Sequence, residues 1–117
     1  MNISKSIAVI ALVLPALAFA QANTPRVDQR EANQQQRIDQ GVASGSLTQR
    51  EANRLERGQQ HVENMENRAK ADGVVTRRER LRMHQAQEVQ SRHIYAEKHD
   101  RQHDFNHNGR VDRPRRR

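Results

Sequence analysis

The feature that most constrains this chain is the shortage of large apolar side chains beyond residue 20. From Gln21 onward, Leu, Ile, Val and Phe together number 13 in a segment of 97 residues, which is below the roughly 20 per cent level that indicates disorder when the charge is high. The sequence also has no cysteine and a formal net charge of +7. Such a chain forms one small domain at most, held by packing or by binding rather than by disulfides. It cannot enclose a water-excluding catalytic pocket, so we do not expect an enzyme.

The first 20 residues have the three parts of a secretory signal peptide. Lys5 lies in a short polar start, and residues 7–20 are almost wholly apolar and end in A-F-A, a pattern that signal peptidase accepts. A membrane anchor would need about 20 apolar residues, whereas this run is shorter and contains Pro15. We therefore predict cleavage between Ala20 and Gln21, export to the periplasm or the medium, and no transmembrane segment in the mature chain.

Three polar segments of helix-favouring composition follow, at about residues 25–43, 48–71 and 76–98. Thr24 and the proline after it predict the N-terminal cap of the first helix. That helix has weak apolar spacing, and we expect its three glutamines, residues 34–36, to add nothing to a core. Helical spacing places one set of residues on a common face in each of the other two helices: Ala52, Leu55, Val62, Met65 and Ala69 in the second, and Met83, Ala86, Gln90 and Ile94 in the third.

The connections between these segments repeat at an offset of 28 residues. Each consists of a glycine, one variable residue, an apolar residue and then T-x-x-E. The two sets are Gly45, Leu47, Thr48 and Glu51, and Gly73, Val75, Thr76 and Glu79. T-x-x-E is a capping box, in which the Thr oxygen accepts from the Glu amide and the Glu carboxylate accepts from the Thr amide. We therefore predict that residues 21–103 form an all-α domain of two or three antiparallel helices joined by capped glycine turns.

The sharpest candidate site is the segment DFNHNGRVD, residues 104–112. In an EF-hand calcium loop, oxygen ligands occupy positions 1, 3, 5, 7 and 9, and a glycine at position 6 permits the sharp turn. The corresponding ligands here are Asp104, Asn106, Asn108, the backbone carbonyl of Arg110, and Asp112, with Gly109 at position 6. Position 12 is Arg115 instead of a bidentate Glu, so we expect weak calcium binding, on the order of millimolar. The alternative is a turn that is rich in Asp and Asn for local reasons alone.

This loop resembles a degenerate calcium loop of the EF-hand and dockerin-type families. The two earlier turns follow the same plan without the ligands, since the second has Arg68 and Lys70 at positions 1 and 3. This resemblance implies EF-hand-like helix-turn-helix repeats and calcium as the bound ion. The S-G-x-L-T-x-x-E pattern that starts at Ser44 is similar to that of small exported bacterial helical proteins, a resemblance that implies no particular activity. The repeats also resemble the LTxxQ repeats of periplasmic stress chaperones, with Glu in place of Gln, which implies a scaffold or interaction protein without a metal site.

A second candidate metal site consists of His99, His103 and His107. Histidines four residues apart share a helix face and can bind zinc, nickel or copper. His107 would have to fold back from the turn to join the other two. Asp100 and Asp104 lie between these histidines, so the calcium and transition-metal hypotheses compete for Asp104. A polar tail that is merely rich in histidine is the alternative.

Arginines cluster at the start of the third segment and at the C-terminal end of the chain. They are Arg77, Arg78, Arg80 and Arg82, and Arg113, Arg115, Arg116 and Arg117. Such clusters attract phosphates and other anionic surfaces. However, no aromatic platform for bases accompanies them, and the mixture of acids along the helices favours a solvated face. We therefore do not expect nucleic-acid binding, and we predict that residues 104–117 combine the EF-hand-like loop with a flexible basic tail. The remaining partners to expect are an unidentified protein or a second copy of the chain.

Overall fold

The computed structural model describes residues 23–112. Within this range the chain forms three α-helices, α1 (Pro25–Ser44), α2 (Gln49–Lys70) and α3 (Arg77–Lys98), and each helix packs against the other two. The prediction of an all-α fold with antiparallel helices joined by short turns is confirmed. None of these described helices combines the length and the apolar character needed to span a bilayer. The predicted signal peptide and the C-terminal arginine cluster lie outside the described residues.

Both predicted capping boxes are present. Thr48 donates its backbone N–H to Glu51 Oε2 at 2.8 Å and accepts from the Glu51 N–H at 3.4 Å. Thr76 makes the same two bonds with Glu79, at 2.8 and 3.2 Å. The two boxes differ in their surroundings, because Thr48 and Glu51 are buried whereas Thr76 is exposed. The same capping geometry therefore stabilises α2 in a buried environment and α3 in a solvent-exposed one.

The start of α1 lies where the sequence predicts it, but the side chain of its N-cap residue has a partner on another helix. Thr24 occupies the N-cap position before Pro25, but its side chain makes no capping hydrogen bond. Its hydroxyl instead donates to the Glu66 carboxylate on α2, which also pairs with Lys70 at 2.7 Å. The predicted N-cap position and the proline after it are confirmed, and the Thr24 side chain links the start of α1 to the last turns of α2.

The apolar core is divided into two clusters, one near each end of the bundle. The cluster beside the α1–α2 turn consists of Ile38, Leu47, Ala52, Leu55 and Ile94, with Val42 against it, and the cluster beside the α2–α3 turn consists of Ala69, Val75 and Met83, with Met65 against it. Leu47 and Val75, the apolar residues of the two repeated turns, each anchor one cluster. The repeat in the sequence thus closes the two ends of the bundle.

Between these clusters, buried glutamines connect the helices. The expectation that residues 34–36 add nothing to the core is wrong for Gln34, which is 1% exposed. Its amide and those of two glutamines on α3 donate to groups on neighbouring helices: Gln34 Nε2 to Gln87 O (2.9 Å) and Ser91 Oγ (2.7 Å), Gln87 Nε2 to Val27 O (3.1 Å), and Gln90 Nε2 to Leu55 O (2.8 Å). A buried amide N–H is tolerated when it is hydrogen-bonded, so these Nε2 contacts allow glutamines to occupy the interior between the apolar clusters. The Oε1 of Gln34 has no hydrogen-bond partner among the described residues.

Candidate cation sites

The segment after α3 folds back onto the turn between α1 and α2. The backbone N–H of Asp104 donates to the carbonyl oxygen of Gly45 at 2.9 Å. Gly45 has a φ of +73°, and a Cβ added there would lie 2.7 Å from both Asp104 O and Phe105 Cα. A residue with a side chain would therefore disturb both the turn and the segment that lies on it. The C-terminal loop, residues 104–112, thus packs against the first of the two repeated glycine turns.

Asp104 is the centre of this loop. The residue is 5% exposed, and its two carboxylate oxygens accept from consecutive backbone amides. Oδ1 accepts from Asn108 N at 3.0 Å and Oδ2 accepts from Gly109 N at 2.8 Å. Gly109 has a φ of +77°, a conformation that glycine adopts without steric cost. The loop is therefore wound around the carboxylate that the sequence places at position 1.

The other predicted oxygen donors hold the same loop together. Asn106 Oδ1 accepts from Asn108 N at 3.0 Å, and Asn108 Oδ1 accepts from Arg110 N at 2.8 Å. Asp112 closes the loop, because its carboxylate accepts from Phe105 N at 2.8 Å and from Asn106 Nδ2 at 2.7 Å. The structure thus brings together Asp104, Asn106, Asn108 and Asp112. These contacts also suit a turn held only by local hydrogen bonds, so calcium binding stays a prediction.

The three predicted histidine ligands lie in different environments. His99 stacks on Tyr95 with ring centroids 4.0 Å apart, and its Nδ1 lies 2.7 Å from Tyr95 O. His103 stacks on Phe105 at 4.7 Å. His107 lies in the loop itself with a φ of +55°. Within residues 23–112, these histidines do not belong to a set of three or more ligand atoms that lie within 4.8 Å of one another. The geometry therefore offers the transition-metal hypothesis no assembled site.

The structure does assemble a group of carboxylates that the sequence analysis missed. Glu51, in the first turn of α2, meets Glu97, in the last turn of α3, and Asp100, just beyond it. One oxygen from each residue lies within 4.8 Å of the others. The sequence places Glu51 in its capping box and in the EF-hand-like plan of the first turn, and neither pattern joins it to Glu97 or Asp100. No local signal joins it to residues more than 40 positions away, because only the packing of α2 on α3 brings them together.

Glu51 is the most buried member of this acidic cluster. It is 2% exposed, and its Oε1 has no hydrogen-bond partner among the described residues. Burial raises the pKa of Glu51, the bonds from Thr48 oppose this shift, and the negative charges of Asp100 and Glu97 add to it. A buried carboxylate that faces two others carries an electrostatic cost that a cation would remove.

A second carboxyl with a perturbed pKa lies on α1. Burial, followed by the nearby charges of Glu66, Glu63 and Asp28, raises the pKa of Glu31 to about 7, and Lys70 opposes the shift. Glu31 Oε1 also lacks a hydrogen-bond partner among the described residues. This carboxyl therefore titrates near neutrality in the folded protein.

Comparisons with known proteins do not assign either site. No protein-family model, curated protein or solved structure matches the chain.

Proposed function

We propose that this protein is an exported, non-enzymatic helical protein that binds calcium weakly through its C-terminal loop. The observation that carries the proposal is the buried Asp104, whose two carboxylate oxygens accept from the amides of Asn108 and Gly109. A calcium loop needs an acid at position 1 and a sharp turn at position 6. Here the contacts of that acid define the turn.

The charges of the loop set the expected affinity. Each carboxylate oxygen that accepts one amide keeps a further lone pair for a cation, so the internal hydrogen bonds and ligation are compatible. Only Asp104 and Asp112 supply negative charge within residues 104–112, however, and Arg110 and the arginines that follow oppose a cation. We therefore expect a Kd of about 10⁻⁴–10⁻³ M, the range of extracellular calcium modules.

The decisive experiment restores the missing twelfth ligand. In calorimetric titrations of the purified chain with calcium, Arg115→Glu should tighten binding at least about tenfold, a gain of roughly 1.4 kcal/mol. Arg113→Glu is the matched control, because it changes the charge equally at position 10, which supplies no ligand in an EF-hand loop. Asp104→Ala should abolish binding at the loop. Equal titrations of the Arg115→Glu and Arg113→Glu proteins would show that the segment does not converge on a cation.

Titrations with different metals distinguish the histidine site from the calcium loop. The double variant His99→Ala/His103→Ala should leave calcium binding unchanged, because calcium prefers oxygen ligands, and should weaken any zinc or copper binding. If calcium, zinc and copper all fail to bind the wild-type chain, the alternative of a helical scaffold or chaperone-like interaction protein without a metal site replaces the proposal.

A further inference from the structure

The acidic cluster of Glu51, Glu97 and Asp100 lies where two helix ends meet. Glu51 belongs to the first turn of α2, and Glu97 to the last turn of α3. Asp100 follows the end of α3 and is held in place by Gln102, whose backbone N–H donates to Asp100 Oδ1 at 2.7 Å. The three side chains therefore belong to elements that the fold already holds in position.

A buried atom in this cluster lacks a partner. Glu51 uses Oε2 for its capping box, where it accepts from Thr48 N and Thr48 Oγ1, both at 2.8 Å. Its Oε1 is buried and accepts no hydrogen bond from the described residues. An unsatisfied charged oxygen in the interior is costly. A ligand that accepts a lone pair from it would remove that cost.

The local charges also favour a cation. Arg54 pairs with Glu97 Oε1 at 2.8 Å, but its side chain is 58% exposed, so the pair contributes little to neutralising the interior. The C-terminal end of a helix carries partial negative charge, and Glu97 and Asp100 add two carboxylates at that end of α3. This end of α3 therefore has a negative potential that attracts a cation.

We propose that Glu51, Glu97 and Asp100 form an interhelical site for a hard divalent cation, with calcium favoured by size. Two oxygens on opposite sides of a calcium ion are about 4.6–5.2 Å apart, twice the usual ligand distance. The three carboxylate oxygens lie within 4.8 Å of one another, a spacing of the order that shared ligation of one calcium ion requires. A cation bound by all three would link the start of α2 to the end of α3.

The test measures how calcium alone shifts the thermal unfolding of the full chain, followed by circular dichroism after removal of metal with EDTA. The double variant Glu97→Gln/Asp100→Asn removes two ligand charges. Asp100→Asn alone is a milder change that keeps an oxygen for the Gln102 bond. The matched control is Glu56→Gln/Glu63→Gln, which removes two exposed acids from α2. Asp104→Ala removes the position-1 ligand of the C-terminal loop and none of the three carboxylates of the acidic cluster.

Calcium should raise the melting temperature of the wild-type and control proteins equally. When the double substitution is added to Asp104→Ala, the calcium concentration for half of the remaining shift should increase at least about tenfold, and Asp100→Asn in the same background should lie between. A shift that survives Asp104→Ala but is lost when the double substitution is added supports the interhelical site. A shift that the double substitution leaves unchanged in that background, or that Asp104→Ala alone abolishes, overturns it. Magnesium, which demands shorter and more regular ligation, should require higher concentrations.

Discussion

The two capping boxes form a natural matched pair, and we expect their Thr→Ala variants to differ in stability. Thr76 is exposed, so water can replace its hydroxyl, and Thr76→Ala should cost about 0.5–1 kcal/mol, the ordinary effect of losing a cap. Thr48 is 5% exposed and its partner Glu51 is 2% exposed. Thr48→Ala removes the hydroxyl that donates to Glu51 Oε2 at 2.8 Å, and it leaves a buried carboxylate with one donor fewer.

Loss of a hydrogen bond to a buried charged group costs about 1.5–3 kcal/mol. Added to part of the ordinary cap effect, this brings the expected cost of Thr48→Ala to about 2–3 kcal/mol. For a domain of this size, 1 kcal/mol corresponds to a melting shift of about 4–8 °C. Thr48→Ala should therefore lower the melting temperature by roughly 10–20 °C, and Thr76→Ala by at most about 8 °C.

The assay is thermal and urea unfolding followed by circular dichroism in EDTA, so that no cation contributes at Glu51. Thr48→Ser and Thr76→Ser are the controls, because serine retains the capping hydroxyl and should recover most of the loss at each position. Equal losses for the two Ala variants would refute the argument that burial of the first box, and not its local geometry, sets its contribution.

Three further predictions test other parts of the molecule. The pKa of Glu31 is raised from 4.5 to about 7 in the folded state, so the folded chain keeps this proton at pH values where the unfolded chain has lost it. The free energy of unfolding should therefore fall as the pH rises from about 4.5 to 7, by about 1–2 kcal/mol after allowance for solvent screening. Glu31→Gln should flatten this profile in urea unfolding at several pH values, whereas exposed Glu56→Gln should not. Gly45→Ala should destabilise the fold more than Gly73→Ala in the same assay, because both have positive φ but only Gly45 lies against the C-terminal loop; equal losses would contradict the docking of that loop. Mass spectrometry of the exported protein should find a chain that begins at Gln21, and an intact first residue in that pool would contradict the signal peptide.

Features encoded over short distances could be predicted from the sequence. The capping boxes depend on residues three apart, and the Asp104 loop on residues within nine positions, so spacing alone indicates which atoms can meet. The apolar faces of α2 and α3 follow from helical periodicity. These signals were enough to predict an all-α fold and the position of its turns.

Contacts between helices could not be predicted in this way. Gln34 lies four residues before the buried Ile38, so helical spacing puts both on one face, but the sequence does not show that Gln87 O and Ser91 Oγ lie opposite its amide. Thr24 has the sequence features of a cap, yet its hydroxyl bonds to Glu66 on another helix. In both cases a polar side chain hydrogen-bonds to a group on a neighbouring helix, and not to a nearby residue of its own helix or to water.

Glu51 combines both situations within one carboxylate. Its Oε2 accepts from Thr48, a contact that the T-x-x-E pattern predicts. Its Oε1 has no partner among the described residues, and only the packing of α3 brings the residue close to Glu97 and Asp100. Glu79 occupies the same place in the second repeat, but Thr76 beside it is exposed, and Glu79 does not belong to a comparable group within residues 23–112. Two turns that are nearly equivalent in sequence are therefore not equivalent in charge environment. The difference arises because the end of α3 and the C-terminal loop both lie at the first turn, which is where a cation would act on the fold.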